Sequence, residues 1–271
     1  MKIFFTKFYA FLRKDIKIGL SYKFNIFIQI LAIFFVVSII FFSLNSTNNQ
    51  ISNLSSIEQN YEFFQVLIGI ALVDFMFSSM SVFAREVRLA QTYGTFETLI
   101  ITNTSILTIL LSSYALTFSR SILRILIYIM LGKFIFGLGI SVGNIPTFLF
   151  LVIYSSIPFI GIGLIAASFI ILFKVGNIIT LFAGLSSIFF SGIFFSIESL
   201  PSAFAGMSNN LPLTIGLDLA KQALVGGISL KQVYPGILVI FYQIALLIPT
   251  SILLVYYSLK IAKKNGSLNF Y

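Results

Sequence analysis

Three ionisable side chains stand inside apolar stretches of this chain: Asp74 in the run 61–83, and Arg120 and Arg124 in the run 112–136. A charge at the centre of a membrane helix costs roughly 2.5–3.5 kcal/mol on insertion scales, so each must face protein or water and find a partner. Arg120 and Arg124 are four residues apart and share one helical face. Two arrangements would satisfy the three charges. They could form a polar spot lining a path or a subunit seam, or Asp74 could pair with one arginine and lock two spans together while the other arginine snorkels. Other chemistry is scarce. The sequence contains no His and no Cys, which removes His-ligated zinc, thiolate nucleophiles, His general bases and disulfides. The few carboxylates form no paired intramembrane cluster. No G-x-x-x-x-G-K-[ST] run occurs, because Gly132-Lys133 is followed by Phe134 and lacks the upstream glycine. The chain therefore has no P-loop of its own, and the expectation is a non-enzyme with no catalytic residues and no metal site.

The elements that position these residues follow from composition. The 271 residues are 58% hydrophobic and 9% charged, and several apolar runs exceed the roughly 20 helical residues needed to cross a bilayer core of about 30 Å. Barrel strands would alternate over about ten residues, whereas these runs are continuous, so helices satisfy their backbone groups in lipid. The expectation is an all-α polytopic membrane protein, one domain over 1–271. Its six spans would cover 24–44, 61–83, 112–136, 147–173, 178–197 and 235–259. Six crossings put both ends on one side. Lys2, Lys7, Arg13, Lys14, Lys17, Lys23, Arg85, Arg88, Lys174, Lys260, Lys263 and Lys264 all fall on that side. The opposite loops carry Glu58, Glu62, Glu198 and Asp218 with only Lys133, Lys221 and Lys231. The positive-inside rule then makes both termini cytoplasmic, in a multi-pass protein of the plasma (inner) membrane. The net charge of +9 is mostly this topology signal and not a nucleic-acid surface. The first run is longer than a signal h-region and lacks a small-x-small cleavage site, so it should remain as a span.

Three further segments have a pattern. Over 1–23, Phe4, Phe5, Phe8, Phe11, Leu12, Ile16, Ile18 and Tyr22 occupy one half of a helical wheel, and Lys2, Lys7, Arg13, Lys14 and Lys17 the other. That describes an interfacial helix whose lysines meet anionic lipid headgroups, with or without a cytoplasmic partner along its basic edge. The polar segment 84–105 places Leu89, Tyr93, Phe96 and Ile100 on a narrow stripe, with Arg85, Glu86, Arg88 and Glu97 beside or opposite it. Such a ridge could sit in a groove on a soluble protein or fold back against the bundle, and Gly94 could split it. The stretch 198–234 is rich in turns, and Thr214 can cap a helix over 215–225 that stops at Gly226-Gly227. Small residues in the fourth and fifth spans, Gly161, Gly163, Ala166, Ala167 and Ser168, then Gly184 and Gly192, would let helices approach closely.

The run Glu86 through Tyr93-Gly94-Thr95-Phe96-Glu97-Thr98-Leu99 to Thr104-Ser105 resembles the "E…GTLE.L…TP.S" segment of ABC-2 type permeases. Leu200-Pro201, then Leu211-Pro212-Leu213-Thr214 and LDLAKQALVGG from Leu217 to Gly227, resemble the "LP…NPLTY…R.LL.G" element that precedes the last span in that family. The resemblance implies two six-span permease chains, identical or homologous, around a central path, each docked on a separate nucleotide-binding ATPase subunit that holds ATP and Mg. It implies that 84–98 is the coupling helix seated on the ATPase and that the N-terminal helix lies beside it. It also implies that short helices within 198–234 lid the path, and that the subunit seam lies between spans one and five, with Phe34, Phe35, Phe189 and Phe190 as candidates. The function implied is transport, most plausibly export. An ion-coupled secondary transporter, which would need intramembrane carboxylates or broken helices, and a non-transporting membrane scaffold are the alternatives. Phe and Tyr surfaces suit a lipid, a drug or a lipid-linked glycan alike, so the sequence names no substrate.

Overall fold

The structure is a computed structural model that describes residues 9–10, 13, 16–17, 21, 23–50, 56–101, 104–137, 144–175, 177–194, 197, 201–225, 227, 232–266 and 268. Among these residues every regular element is a helix. In chain order they are α1 (Lys23–Gln50), α2 (Ser56–Thr92), α3 (Phe96–Ile101), α4 (Ile106–Phe134), α5 (Ile145–Phe173), α6 (Asn177–Phe190), α7 (Ser202–Ser208), α8 (Pro212–Val225) and α9 (Tyr234–Lys264). Most of the amphipathic helix expected over 1–23 lies outside the described residues; Tyr9, Ala10, Arg13, Ile16, Lys17 and Ser21 are helical and exposed.

Five helices, α1, α2, α4, α5 and α9, are long and apolar enough to cross a membrane. Local sequence sets their ends. Asn144 caps α5 by accepting a hydrogen bond from the Thr147 amide at 3.1 Å, proline follows in the first turn, and Lys174 closes the helix in the left-handed region at φ 62°. The basic end of the bundle gathers Arg85 and Arg88 near the end of α2 with Lys263 and Lys264 in the last turn of α9.

The centre is built from α2 and α5. Both are about 61% buried over their most apolar windows, against 11% for α1 and α9. α4 packs on α2, α9 packs on α5, and α1 leans on α2 and α4. Gly163 permits the closest central approach, since a Cβ there would lie 2.6 Å from the Met80 carbonyl oxygen. Away from the basic end, Phe41 meets Phe136 at 4.9 Å and Phe63 at 5.3 Å between ring centroids, tying α1 to its neighbours.

Two expectations are corrected. The fifth span, expected over 178–197, is a helix of 14 residues ending at Phe190. At about 1.5 Å per residue it reaches roughly 21 Å, short of a bilayer core. The apolar character continues past Phe190, but Gly192 takes φ 72° in the turn that follows the helix, a conformation that favours glycine. The helix expected over 215–225 instead begins at Pro212, whose missing N–H suits a first helical position. The Ile215 amide donates to the Leu211 carbonyl at 3.1 Å, and the Thr214 hydroxyl donates to the Phe190 carbonyl at 3.4 Å, so Thr214 ties α8 to the end of α6 and caps nothing.

Candidate functional site

At its basic end α2 continues to Thr92, and the chain reverses over Tyr93-Gly94. The Gly94 amide donates to the Gln91 carbonyl at 3.1 Å and the Thr95 amide to the Ala90 carbonyl at 2.9 Å, with Gly94 at φ 65°. This pair of bonds is the Schellman helix ending, which needs a left-handed residue where Gly94 stands. Thr95 then starts α3, accepting the Leu99 amide at 3.0 Å and the Thr98 hydroxyl at 2.7 Å on its carbonyl.

The turn shifts helical phase, so the single ridge expected from Leu89, Tyr93, Phe96 and Ile100 does not form. Leu89 and Tyr93 are exposed, Ile100 is half-buried, and Phe96 is fully buried. Phe96 shares a core cluster with Val87 of α2, Leu110 of α4, Ile171 of α5 and Ala262 of α9. The knuckle therefore presents Arg85, Arg88, Leu89, Tyr93, Gly94 and Glu97 outward, keeps Glu86 half-buried, and roots in the bundle through Phe96. The side-chain amide of buried Gln91 donates to the Leu268 carbonyl at 3.3 Å, holding the C-terminal turn against the base of the knuckle. Sequence reasoning passed over Gln91, since a lone polar residue on a charged helix carries no periodic signal.

Asp74 and Arg124 meet between α2 and α4. Arg124 Nε lies 2.8 Å from Asp74 Oδ2, and Nη2 donates to Ser121 Oγ at 2.9 Å and to Ser78 Oγ. The Nε contact is an ion pair by proximity and lacks hydrogen-bond alignment. The two side chains keep 21% and 32% of their surface accessible, and Arg124 lines a cleft of about 410 Å³ between α1 and the α2–α4 pair. Arg120 and Arg124 both line this cleft, but Arg120 is exposed and Asp74 pairs with Arg124. Asn25 and Gln29 of α1 face the arginines across it. Their spacing of four inside an apolar run was the available sequence signal.

At the opposite end an open cavity of about 890 Å³ is bordered by α7, α8 and the starts of α2 and α9, with Asn209, Asp218, Lys221, Gln222 and Gln232 on its walls. Burial pushes the Lys221 ammonium below its ordinary pKa, and the Asp218 charge partly offsets this. Gln222 holds Asp218 by a 2.9 Å hydrogen bond.

The four phenylalanines expected at a seam form two edge-to-face pairs, Phe34 with Phe35 at 6.1 Å and Phe189 with Phe190 at 5.2 Å between ring centroids. Phe34, Phe35 and Phe189 are exposed, with Phe34 leaning on Phe136 at 6.3 Å, while Phe190 is half-buried and stacks on Phe204 at 5.6 Å.

Long apolar helices, a charged knuckle rooted in the core and a polar pair within the bundle define a multi-pass membrane protein. Residues 7–225 match the sequence profile described as ABC-2 type transporter, and the chain belongs to that family. It is a membrane permease component of an ABC transporter. No curated protein matches the chain.

Proposed function

We propose that this permease is an exporter, powered by a separate ATPase subunit that binds ATP and Mg and docks on the knuckle between α2 and α3. Both termini are cytoplasmic in this reading, the membrane is the plasma membrane, and α6 serves as a short sixth crossing completed by α7 and α8. Two such chains enclose the path, since six helices make too small a bundle to carry two ATPases around a wide opening. Closed twofold pairing of identical or homologous chains is the economical arrangement. Closure of the ATPase pair pushes the knuckles and tips the bundles between inward and outward states.

The observation that supports this most is the knuckle's two-sidedness. Arg88, Leu89, Tyr93 and Glu97 are exposed, whereas Phe96 beside them has no exposed surface. A partner seated on the outer side would push on a lever whose root touches the core. A secondary transporter is less well supported, because the intramembrane carboxylate it would use, Asp74, is engaged with Arg124.

The test is co-purification. The chain is expected to bring down a P-loop ATPase and to hydrolyse no ATP alone, and Arg88→Glu or Glu97→Lys should weaken the complex without preventing membrane insertion. ATP turnover by the pure chain would overturn the proposal. The mass of the active complex should correspond to two permease chains. If the pair is a homodimer, single cysteines at Phe34, Phe35, Phe189 or Phe190 should cross-link between copies at some sites.

A further inference from the structure

The cleft between α1 and the α2–α4 pair has a basic lining. Arg85 of α2 and Arg120 and Arg124 of α4 share its walls with Asn25 and Gln29, and among the described residues Glu86 is the one acid lining it. Asp74 neutralises Arg124, Glu86 offsets one further charge, and a net positive charge remains. Arg120 stands at the midpoint of α4 and is exposed. Hydrocarbon alone is a poor neighbour for a guanidinium at that depth.

The rest of the lining is apolar and includes Ile30, Ile33 and Leu123. Most of α1 is unburied, with Phe27, Ile28 and Leu31 exposed along it, so the cleft is edged by a helix that faces the membrane. A free anion would use the arginines and leave the apolar wall unmatched. A neutral lipid would use the wall and leave the arginines unmatched. Guanidiniums and side-chain amides beside an aliphatic wall together suit an amphiphile with a phosphate head and a surplus negative charge.

We infer that this cleft binds one anionic phospholipid, its phosphodiester held between Arg85 and Arg120 and an acyl chain laid along Ile30, Ile33 and Leu123. The site rests on the chain's being a membrane protein and stands or falls independently of the ATPase proposal.

The full chain, purified in mild detergent, is titrated with phosphatidylglycerol and with phosphatidylcholine of matched tails, and bound lipid is counted by native mass spectrometry. One phosphatidylglycerol per chain should be retained in preference to phosphatidylcholine. Arg120→Gln should weaken that retention about fivefold, the effect of about one basic group on an anionic head, and should leave phosphatidylcholine unchanged. Arg120→Lys should restore part of the preference. Millimolar inorganic phosphate should not displace the lipid. Equal retention of the two lipids, an unchanged Arg120→Gln profile, or displacement by inorganic phosphate, which would mark a free-anion site, would each overturn the assignment. If Arg120→Gln fails to fold, Gln29→Leu decides the matter. It removes an amide from the facing wall and adds apolar surface, so undiminished phosphatidylglycerol retention in that variant overturns the site equally.

Discussion

Asp74→Asn keeps the shape of the side chain and deletes its charge, leaving the Arg124 guanidinium with the hydroxyls of Ser121 and Ser78. Removing one partner of a fully buried ion pair costs about 3–5 kcal/mol. Here the side chains retain 21% and 32% exposure, and the cleft beside Arg124 admits other partners, which brings the expected loss down to about 2 kcal/mol. Arg124→Met should cost less, roughly 1 kcal/mol. A carboxyl left alone in an apolar place can bind a proton, whereas a guanidinium cannot lose one. The double variant should recover part of the loss. Polar couplings between membrane helices average about 0.6 kcal/mol and reach about 1.7. An ion pair at 2.8 Å belongs in the upper half of that range, so the expected coupling is about 1 to 1.5 kcal/mol.

Unfolding of the parent protein and the three variants in mixed micelles, followed by circular dichroism, measures the cycle. The parallel cycle of Asp74 with Arg120 should give a coupling near zero, because Arg120 lines the same cleft without pairing with Asp74. A coupling below about 0.3 kcal/mol for the Arg124 cycle, or a larger loss for Arg124→Met than for Asp74→Asn, would refute the reasoning.

Phe96→Ala should destabilise the chain by about 3 kcal/mol, as large truncations in well-packed cores do, whereas Phe96→Leu should cost under about 1.5. A thermal melt separates the two, and equal small losses would show that the knuckle is not rooted. In the ATPase complex Phe96→Ala should leave hydrolysis running while transport falls. Gly163→Val places a Cβ 2.6 Å from the Met80 carbonyl oxygen, which belongs to helix backbone and cannot rotate away, so α2 and α5 must part. The expected loss is about 1–3 kcal/mol, read as a lowered Tm. Gly94→Val forces a branched residue to φ 65° at a cost of roughly 1–2 kcal/mol, and Gly94→Asn should be much milder. Protease sensitivity at the knuckle reports the difference.

The long helices were legible because lipid-spanning segments declare themselves by continuous apolar length, with no need of a period. Their ends were less so. Hydropathy runs on through Ile193 and Phe194, yet α6 ends at Phe190 and a turn with Gly192 in the left-handed region follows it. The charges inside the apolar runs implied partners, but choosing between Arg120 and Arg124 required the register of α2 against α4, which no single-chain pattern encodes. That register sets Arg124 opposite both Asp74 and Ser78, one helical turn apart. At the knuckle the sequence period misled. Four apolar residues at helical spacing make a ridge only if the helix is unbroken, and the Schellman ending at Gly94 sends Phe96 inward while Tyr93 stays out.

α2 links these features physically. One helix carries the exposed knuckle face, the Arg85 wall of the basic cleft, Ser78 and Asp74 at the ion pair, and Phe63 in the aromatic cluster far from the basic end. It packs on α1, α4, α5, α6 and α8 as well as on α3. A close-packed interior does not deform continuously, so a tilt imposed at Tyr93 cannot be absorbed within one turn. It must be met by sliding at the Gly163–Met80 contact, by a change in the Asp74–Arg124 pair, or by movement of α1, which is about 11% buried over its most apolar window. The α2–α5 contact combines interlocked side chains with the close approach of Gly163 to the Met80 backbone, and it resists sliding. α1 meets the bundle along one face and borders the polar cleft, so the least costly motion swings α1 relative to the α2–α4–α5 core. That swing would change the width of the cleft that holds Arg120.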